Sequence, residues 1–190
     1  MRTSYDIGII GSGFSGSLLA WILSKHGYSV VLIDRAQHPR FAIGESSTPL
    51  ADFLLEHIAD RFGLPQVKSL SRWGSWQREL PQLGAGKKRG FSYYGHVRGE
   101  PFWESPVHES SLLVAASGND ELSDTHWMRS DVDQWFCQQS VSAGATLCEC
   151  FAVTSVKRGG RGWEINGEYD ESNVTLEAGL LIDASGSGNA

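Results

Sequence analysis

Residues 7–34 read IGIIGSGFSGSLLAWILSKHGYSVVLID, and this stretch decides the fold. Ile7 to Ile10 form a short apolar run that predicts a strand. Gly11-Ser12-Gly13-Phe14-Ser15-Gly16 follows at once, with G-x-G-x-x-G spacing. Leu18, Leu19, Ile22 and Leu23 then recur at helical spacing as far as Lys25, and Gly27 is placed to end that helix in the left-handed conformation. Ser29 to Ile33 is a second β-branched run, closed by Asp34, which lies 34 − 16 = 18 residues after the last glycine. Strand, glycine turn, helix, strand and acid in this register predict a dinucleotide site. Gly11 permits the tight turn, Gly13 lets a pyrophosphate approach the backbone, and Gly16 lets the helix pack closely. Phe14 and Ser15 open the helix, whose N-terminus offers N–H groups and a partial positive charge to phosphate. Asp34, with Arg35 beside it, sits where a carboxylate accepts hydrogen bonds from ribose hydroxyls.

Working outward, Thr48-Pro49 reads as an N-cap followed by proline at the first helical position. Leu50, Phe53, Leu54, His57, Ile58 and Phe62 mark one face of that helix, and Gly63 and Pro65 close it. Residues 65–87 show no clean period and read as irregular. Phe91 and Tyr93 predict a strand, as do residues 112–116. Ser130 reads as the cap of a helix through Val132, Trp135 and Phe136, with Asp133 completing a shortened capping box. Thr146 to Lys157 reads as one strand, turning at Gly159-Gly160-Arg161-Gly162 into Trp163-Glu164-Ile165, with Val174 to Leu176 as a third strand of the meander. A late apolar strand follows at 178–183 and runs into Asp183-Ala184-Ser185-Gly186. A domain that binds only NAD does not need this late strand, whereas many FAD enzymes of the hydroxylase type have it. The expected fold is α/β: a Rossmann-like FAD-binding domain over 1–190, its parallel sheet carrying an inserted β-meander, with a substrate-side segment at about 65–127. The abrupt end in a turn suggests an incomplete version of that fold.

Composition narrows the function. The 22 acidic and 16 basic residues leave a net charge of −6, which disfavours nucleic acid as the main partner. No run of about 20 apolar residues predicts a membrane span, and no secretory signal is readable, so a cytoplasmic chain is expected. Cys137, Cys148 and Cys150 are odd in number and read as reduced thiols, the last two sharing a face if they lie on one strand. None of the six histidines has metal-site spacing, so no metal is expected. Among the seven tryptophans, Trp103 and Trp127 invite an aromatic pocket, although core packing is the commoner use. Lys87-Lys88-Arg89 reads most simply as a solvated basic cluster.

Taken together, Gly11 to Gly16, Gly44-Glu45-Ser46-Ser47-Thr48-Pro49, Lys88-Arg89-Gly90-Phe91-Ser92-Tyr93 and Asp183 to Gly186 resemble the N-terminal portion of the flavin-dependent halogenases. The likeness runs across essentially the whole chain. It implies an oxidoreductase in which FAD, reduced by a separate flavin reductase, uses oxygen and a halide ion to make hypohalous acid. A lysine then positions that oxidant against an electron-rich, typically aromatic substrate, either free or carrier-tethered. By motif, Lys88 is that catalytic lysine, with Lys87 its competitor. Gly44, Glu45 and Ser46 correspond to the segment beside the flavin ring. Arg129 corresponds to an arginine near the FAD phosphates, Val153 to a backbone contact to adenine, and Asp183 and Gly186 to the late flavin-side turn. The Trp-x-Trp-x-Ile-Pro motif of halogenases is absent from the 190 residues, as are the Gly-Asp flavin motif and the glutamate that works beside the lysine. A flavin monooxygenase or reductase on the same fold, and a chain that binds FAD or ADP without turnover, stand as alternatives.

Overall fold

The computed structural model describes residues 3–115, 117–160 and 162–186. In chain order its elements are β1 (Ser4–Ile10), α1 (Phe14–Lys25), β2 (Val30–Ile33), β3 (Glu45–Ser46), α2 (Pro49–Phe62), α3 (Pro65–Lys68), a 3₁₀ turn (Ser69–Ser71), α4 (Trp73–Glu79), β4 (Ala85–Lys88), β5 (Gly90–Tyr94), β6 (Ser111–Ala115), β7 (Asp124–Trp127), α5 (Arg129–Ser142), β8 (Thr146–Cys148), β9 (Ala152–Gly159), β10 (Gly162–Tyr169) and β11 (Ser172–Asp183). They form two compact units, one of residues 1–43 with 129–190 and one of residues 44–128.

The first unit is built on a six-stranded sheet of order β8-β2-β1-β11-β10-β9. β8, β2, β1 and β11 are parallel, and β9, β10 and β11 form the antiparallel meander. Strand alternation sends residues to opposite faces. Val30 and Leu32 join Ile7, Ile9, Ala20 and Cys137 on one side, while Val31 and Ile33 join Tyr5, Phe151, Ile165 and Leu176 on the other. Burial on both faces is why these strands read as continuous apolar runs. α1 packs on α5 through edge-to-face pairs, Phe14–Phe136 at 4.9 Å and Trp21–Trp135 at 5.8 Å between ring centroids.

Several expectations need correction. The meander's third strand and the late strand are one element: β11 pairs antiparallel with β10 along its first half and parallel with β1 along its second. The strand expected over 146–157 breaks, because Cys150 adopts φ 55° and turns the chain between β8 and β9. Cys148 is therefore buried and Cys150 exposed, on no common strand. The helix expected from Ser130 begins at Arg129, and Asp133 forms no capping box, because it takes the Arg129 guanidinium instead. Arg161 of the expected hairpin turn and Ala116 of the strand expected over 112–116 lie outside the described residues.

In the second unit, the supposedly irregular 65–79 is three short helical pieces, too short to show a period. The α2 caps form as expected: Thr48 Oγ1 accepts the Ala51 N–H at 3.3 Å, and Gly63 is left-handed at φ 64°. Trp76 is fully buried, its Nε1–H donating to the Leu83 carbonyl. Trp127 packs beside it at 6.0 Å, a core residue. Trp103, by contrast, is exposed. The unit holds a three-stranded sheet, β3-β7-β4, and a β5–β6 ribbon.

Candidate functional site

The carboxyl ends of β1, β2 and β11 come together in the first unit, where parallel sheets commonly bind ligands. Gly11, at φ 104°, turns the chain out of β1, and a β-carbon there would strike the Ala184 carbonyl. A β-carbon on Gly16 would strike the Gly11 carbonyl, so this glycine is required by helix–strand packing. Gly13 differs. Its φ of −69° suits any residue, and an added β-carbon would meet nothing closer than Arg40 Nη2 at 3.5 Å and Asp133 Oδ2 at 3.8 Å. Neither backbone nor packing demands glycine there, so the space above it suits a group that approaches the backbone. α1 starts beside that space with no side-chain cap and no acidic residue in its first turn. Its leading N–H groups, at Phe14, Ser15 and Gly16, are what a pyrophosphate would meet. This donor set fits a dinucleotide.

Asp34 is nearly buried at the end of β2. Its Oδ2 accepts from the Ser12 N–H at 2.8 Å and Ser12 Oγ at 2.7 Å, and Arg40 Nη2 lies 3.4 Å away. Its Oδ1 accepts from the Ala36 N–H at 2.9 Å. Burial pushes the carboxyl up, but the Ala36 and Ser12 hydrogen bonds and the Arg40 charge together outweigh it and hold it below the usual carboxylate range. His38 Nε2 also reaches Ser12 Oγ at 2.8 Å. His38 and Arg40 escaped the sequence reading because nothing in an irregular connection marks its return to the glycine turn, and Ser12 because it fills a variable position of that turn.

Arg129 opens α5, with Nε 2.8 Å and Nη2 3.1 Å from the two oxygens of Asp133, and its guanidinium stands 5.6 Å from the centre of the Phe14 ring. It thus lies beside Phe14 at the glycine turn, already paired with Asp133. The i, i+4 spacing of Arg129 and Asp133 was a readable signal for that pair. Arg35 is exposed. Asp183 lies beside Ile10 at the strand ends and accepts the Ser185 N–H at 2.9 Å, capping its own turn. Gly186 is left-handed at φ 71° in that turn. Val153, on the edge strand β9, packs its side chain on the core two residues after Phe151, whose N–H reaches the Asp34 carbonyl at 3.0 Å. Burial pushes the Cys137 thiol up to about 11 and Cys148 upward, so neither is a thiolate at neutral pH. No group of three metal-ligating side chains occurs among the described residues, and no described helix is long and apolar enough to cross a membrane.

In the second unit Glu45 and Ser46 form β3 and are exposed, after an exposed Gly44. Ser46 Oγ is 2.6 Å from His126 Nδ1 on β7. Lys88 ends β4, on the other side of β7 in the same sheet. The basic triplet is not one cluster. Lys87 pairs with Asp120 at 2.6 Å and Arg89 pairs with the same carboxylate, both at the surface. Lys88, pointing the other way, is only 5% exposed. Its ammonium donates to the Ser47 carbonyl and sits 3.7 Å from the centre of the Phe91 ring.

Residues 9–66 match the NAD(P)-binding Rossmann-like domain family. Over 186 residues the chain is 34% identical to tetracycline 7-halogenase of Kitasatospora aureofaciens, covering 96% of this chain and 31% of that one. It is 32% identical over 153 residues to monodechloroaminopyrrolnitrin halogenase PrnC of Pseudomonas fluorescens, covering 79% and 26%. The structure of halogenase PltM with phloroglucinol and FAD superposes with a TM-score of 0.83 at 31% identity, over 97% of this chain and 35% of that one. The chain spans about a third of the length of these relatives.

Proposed function

Over the third of their length that it spans, the chain belongs with the flavin-dependent halogenases in sequence and fold, and from that premise we propose that it provides the FAD site and the halogenating lysine of such an enzyme. The observation that carries the proposal is Lys88. Of three adjacent cations it alone is withdrawn from water, held by a carbonyl and an aromatic face. Burying an ammonium is costly, and surface solvation would require nothing of the kind.

Gly11, Gly13, Phe14, Ser15 and Gly16 would hold the FAD pyrophosphate, aided by Arg40 and Arg129, with Asp34 and Arg35 at the adenosine ribose. Val153 would lie toward adenine, and Asp183 and Gly186 toward the flavin end. Gly44, Glu45 and Ser46 are further cofactor candidates by the resemblance alone. FAD, once bound there and reduced by a separate reductase, would supply the oxidation of chloride or bromide by oxygen to hypohalous acid. Lys88 then donates a hydrogen bond to the oxygen of hypohalous acid and polarises the oxygen–halogen bond. An electron-rich aromatic carbon, on a free or carrier-tethered substrate, forms the bond to halogen. The oxygen takes a proton from the ammonium and leaves as water, and the proton shed by the ring restores Lys88.

The test is FAD binding and halogen incorporation by the protein supplied with FAD, a flavin reductase, halide and a phenolic substrate. Lys88→Ala is expected to abolish incorporation while FAD affinity stays within about twofold, under roughly 0.5 kcal/mol. Incorporation retained in that variant removes Lys88 from the chemistry.

A further inference from the structure

β4 and β7 are antiparallel, with Lys88 directly opposite Asp124, so the two side chains leave the same face of the sheet. Asp124 is 3% exposed, and Asp52, in the first turn of α2, is 1% exposed. Both oxygens of Asp52 and Oδ2 of Asp124 are buried without a hydrogen-bond partner. Ser47 ties the group together. Its N–H donates to the Thr125 carbonyl, its Oγ accepts the Thr125 N–H at 2.9 Å, and its own carbonyl takes the Lys88 ammonium. A carbonyl and a ring hold the ammonium, but neither carries a full negative charge. Two ionised carboxylates, meanwhile, cannot share a dry site cheaply.

We propose that Asp52 and Asp124 are positioning residues for Lys88, sharing one proton and leaving one negative charge that keeps Lys88 an ammonium anchored on Ser47. The functional meaning rests on the halogenase reading, but the charge coupling needs neither FAD nor halide. The other charged groups around the pair are few. Arg72, before α4, faces Asp52 and is itself held by Glu56 of α2 at 3.4 Å. Ser69 and Ser71 of the 3₁₀ turn bring no charge, Lys87 and Arg89 are tied to Asp120, and Glu45 of β3 is exposed. Burial first, and the Asp124 carboxyl second, push Asp52 up to about 7. Above that pH the pair gains its second negative charge and holds the Lys88 proton more firmly.

The experiment is a pH titration of the full chain by NMR, with carbon-13 at the aspartate carboxyls and at the lysine ε-carbons, the Lys88 signal being assigned by its loss in Lys88→Arg. One aspartate carboxyl is expected to titrate near 7, and the Lys88 signal to show a small inflection at the same pH. Asp52→Asn should remove both. Asp124→Asn should raise the Lys88 amine-to-ammonium ratio at a given alkaline pH roughly tenfold. A Lys88 titration unchanged in both variants overturns the proposal. If neither variant folds, the wild-type titration decides: no carboxyl titrating between about pH 6 and 8, or no Lys88 inflection there, overturns it too. An inactive protein that shows the coupling would count only against the halogenase reading. An active protein without it would count only against this inference.

Discussion

Three glycines of one motif do different work, and single substitutions separate them. Gly16→Ala places a methyl group against the Gly11 carbonyl. It should cost about 1–3 kcal/mol, read by urea unfolding. Gly13→Ala adds a β-carbon that meets no protein atom closer than 3.5 Å, so its melting temperature should hold within about 2 °C. Its FAD affinity should nevertheless fall about 100-fold, roughly 2.7 kcal/mol, in a fluorescence titration. An unchanged affinity would remove the pyrophosphate from this turn. Asp34 supplies a pH-dependent counterpart. Its carboxyl is held low in the folded protein, so its stabilising contribution is present above the ordinary carboxylate pKa and lost as pH falls through the depressed value. Ser12→Ala should therefore destabilise clearly at pH 7 and much less at about pH 2, by urea unfolding at both. The placing of the glycines and Asp34 at neighbouring strand ends was legible because it follows from spacing along 24 residues (11–34) of one unit. His38 and Arg40 were not, because a connection without period carries no signal of where it folds back.

Elements with local punctuation were read well. Thr48, Pro49 and Gly63 fix both ends of α2, and Thr48→Ala should cost about 1 kcal/mol in urea unfolding with an unchanged denaturant slope. Elements whose limits depend on distant partners were read less well. β11 is a single 12-residue strand because β10 and β1 flank it in succession, a fact absent from its own sequence. Short helices at 65–79 lack the two turns that a periodic pattern needs. Asp133 had two local uses, a helix cap or an i, i+4 partner, and the arginine at the head of α5 decided between them.

At the scale of the whole molecule, two buried aspartates shape stability against pH in opposite senses. Asp52 is raised from 3.8 to about 7, so its stabilising contribution is full below 3.8 and lost as pH rises through about 7. Asp52→Asn cannot ionise, so its stability relative to the native protein should increase steadily from about pH 4 to pH 8 in urea unfolding. A constant difference across that range would mean that Asp52 is ionised throughout. The net charge of −6 says nothing of these groups, because it counts every carboxyl as equally wet.

The sequence by itself determined the strand–glycine–helix–strand–acid unit and the α2 caps. Each is written in residues close together in the chain, where spacing alone fixes geometry. Only the tertiary structure decided that Lys88 is buried while Lys87 and Arg89 are not. It alone decided that Gly13 is glycine for neither backbone nor packing reasons. It also brought Asp52 and Asp124, 72 positions apart, to lie together. The reason is physical: burial, desolvation and charge pairing depend on what packs around a group, and the packing partners come from far along the chain.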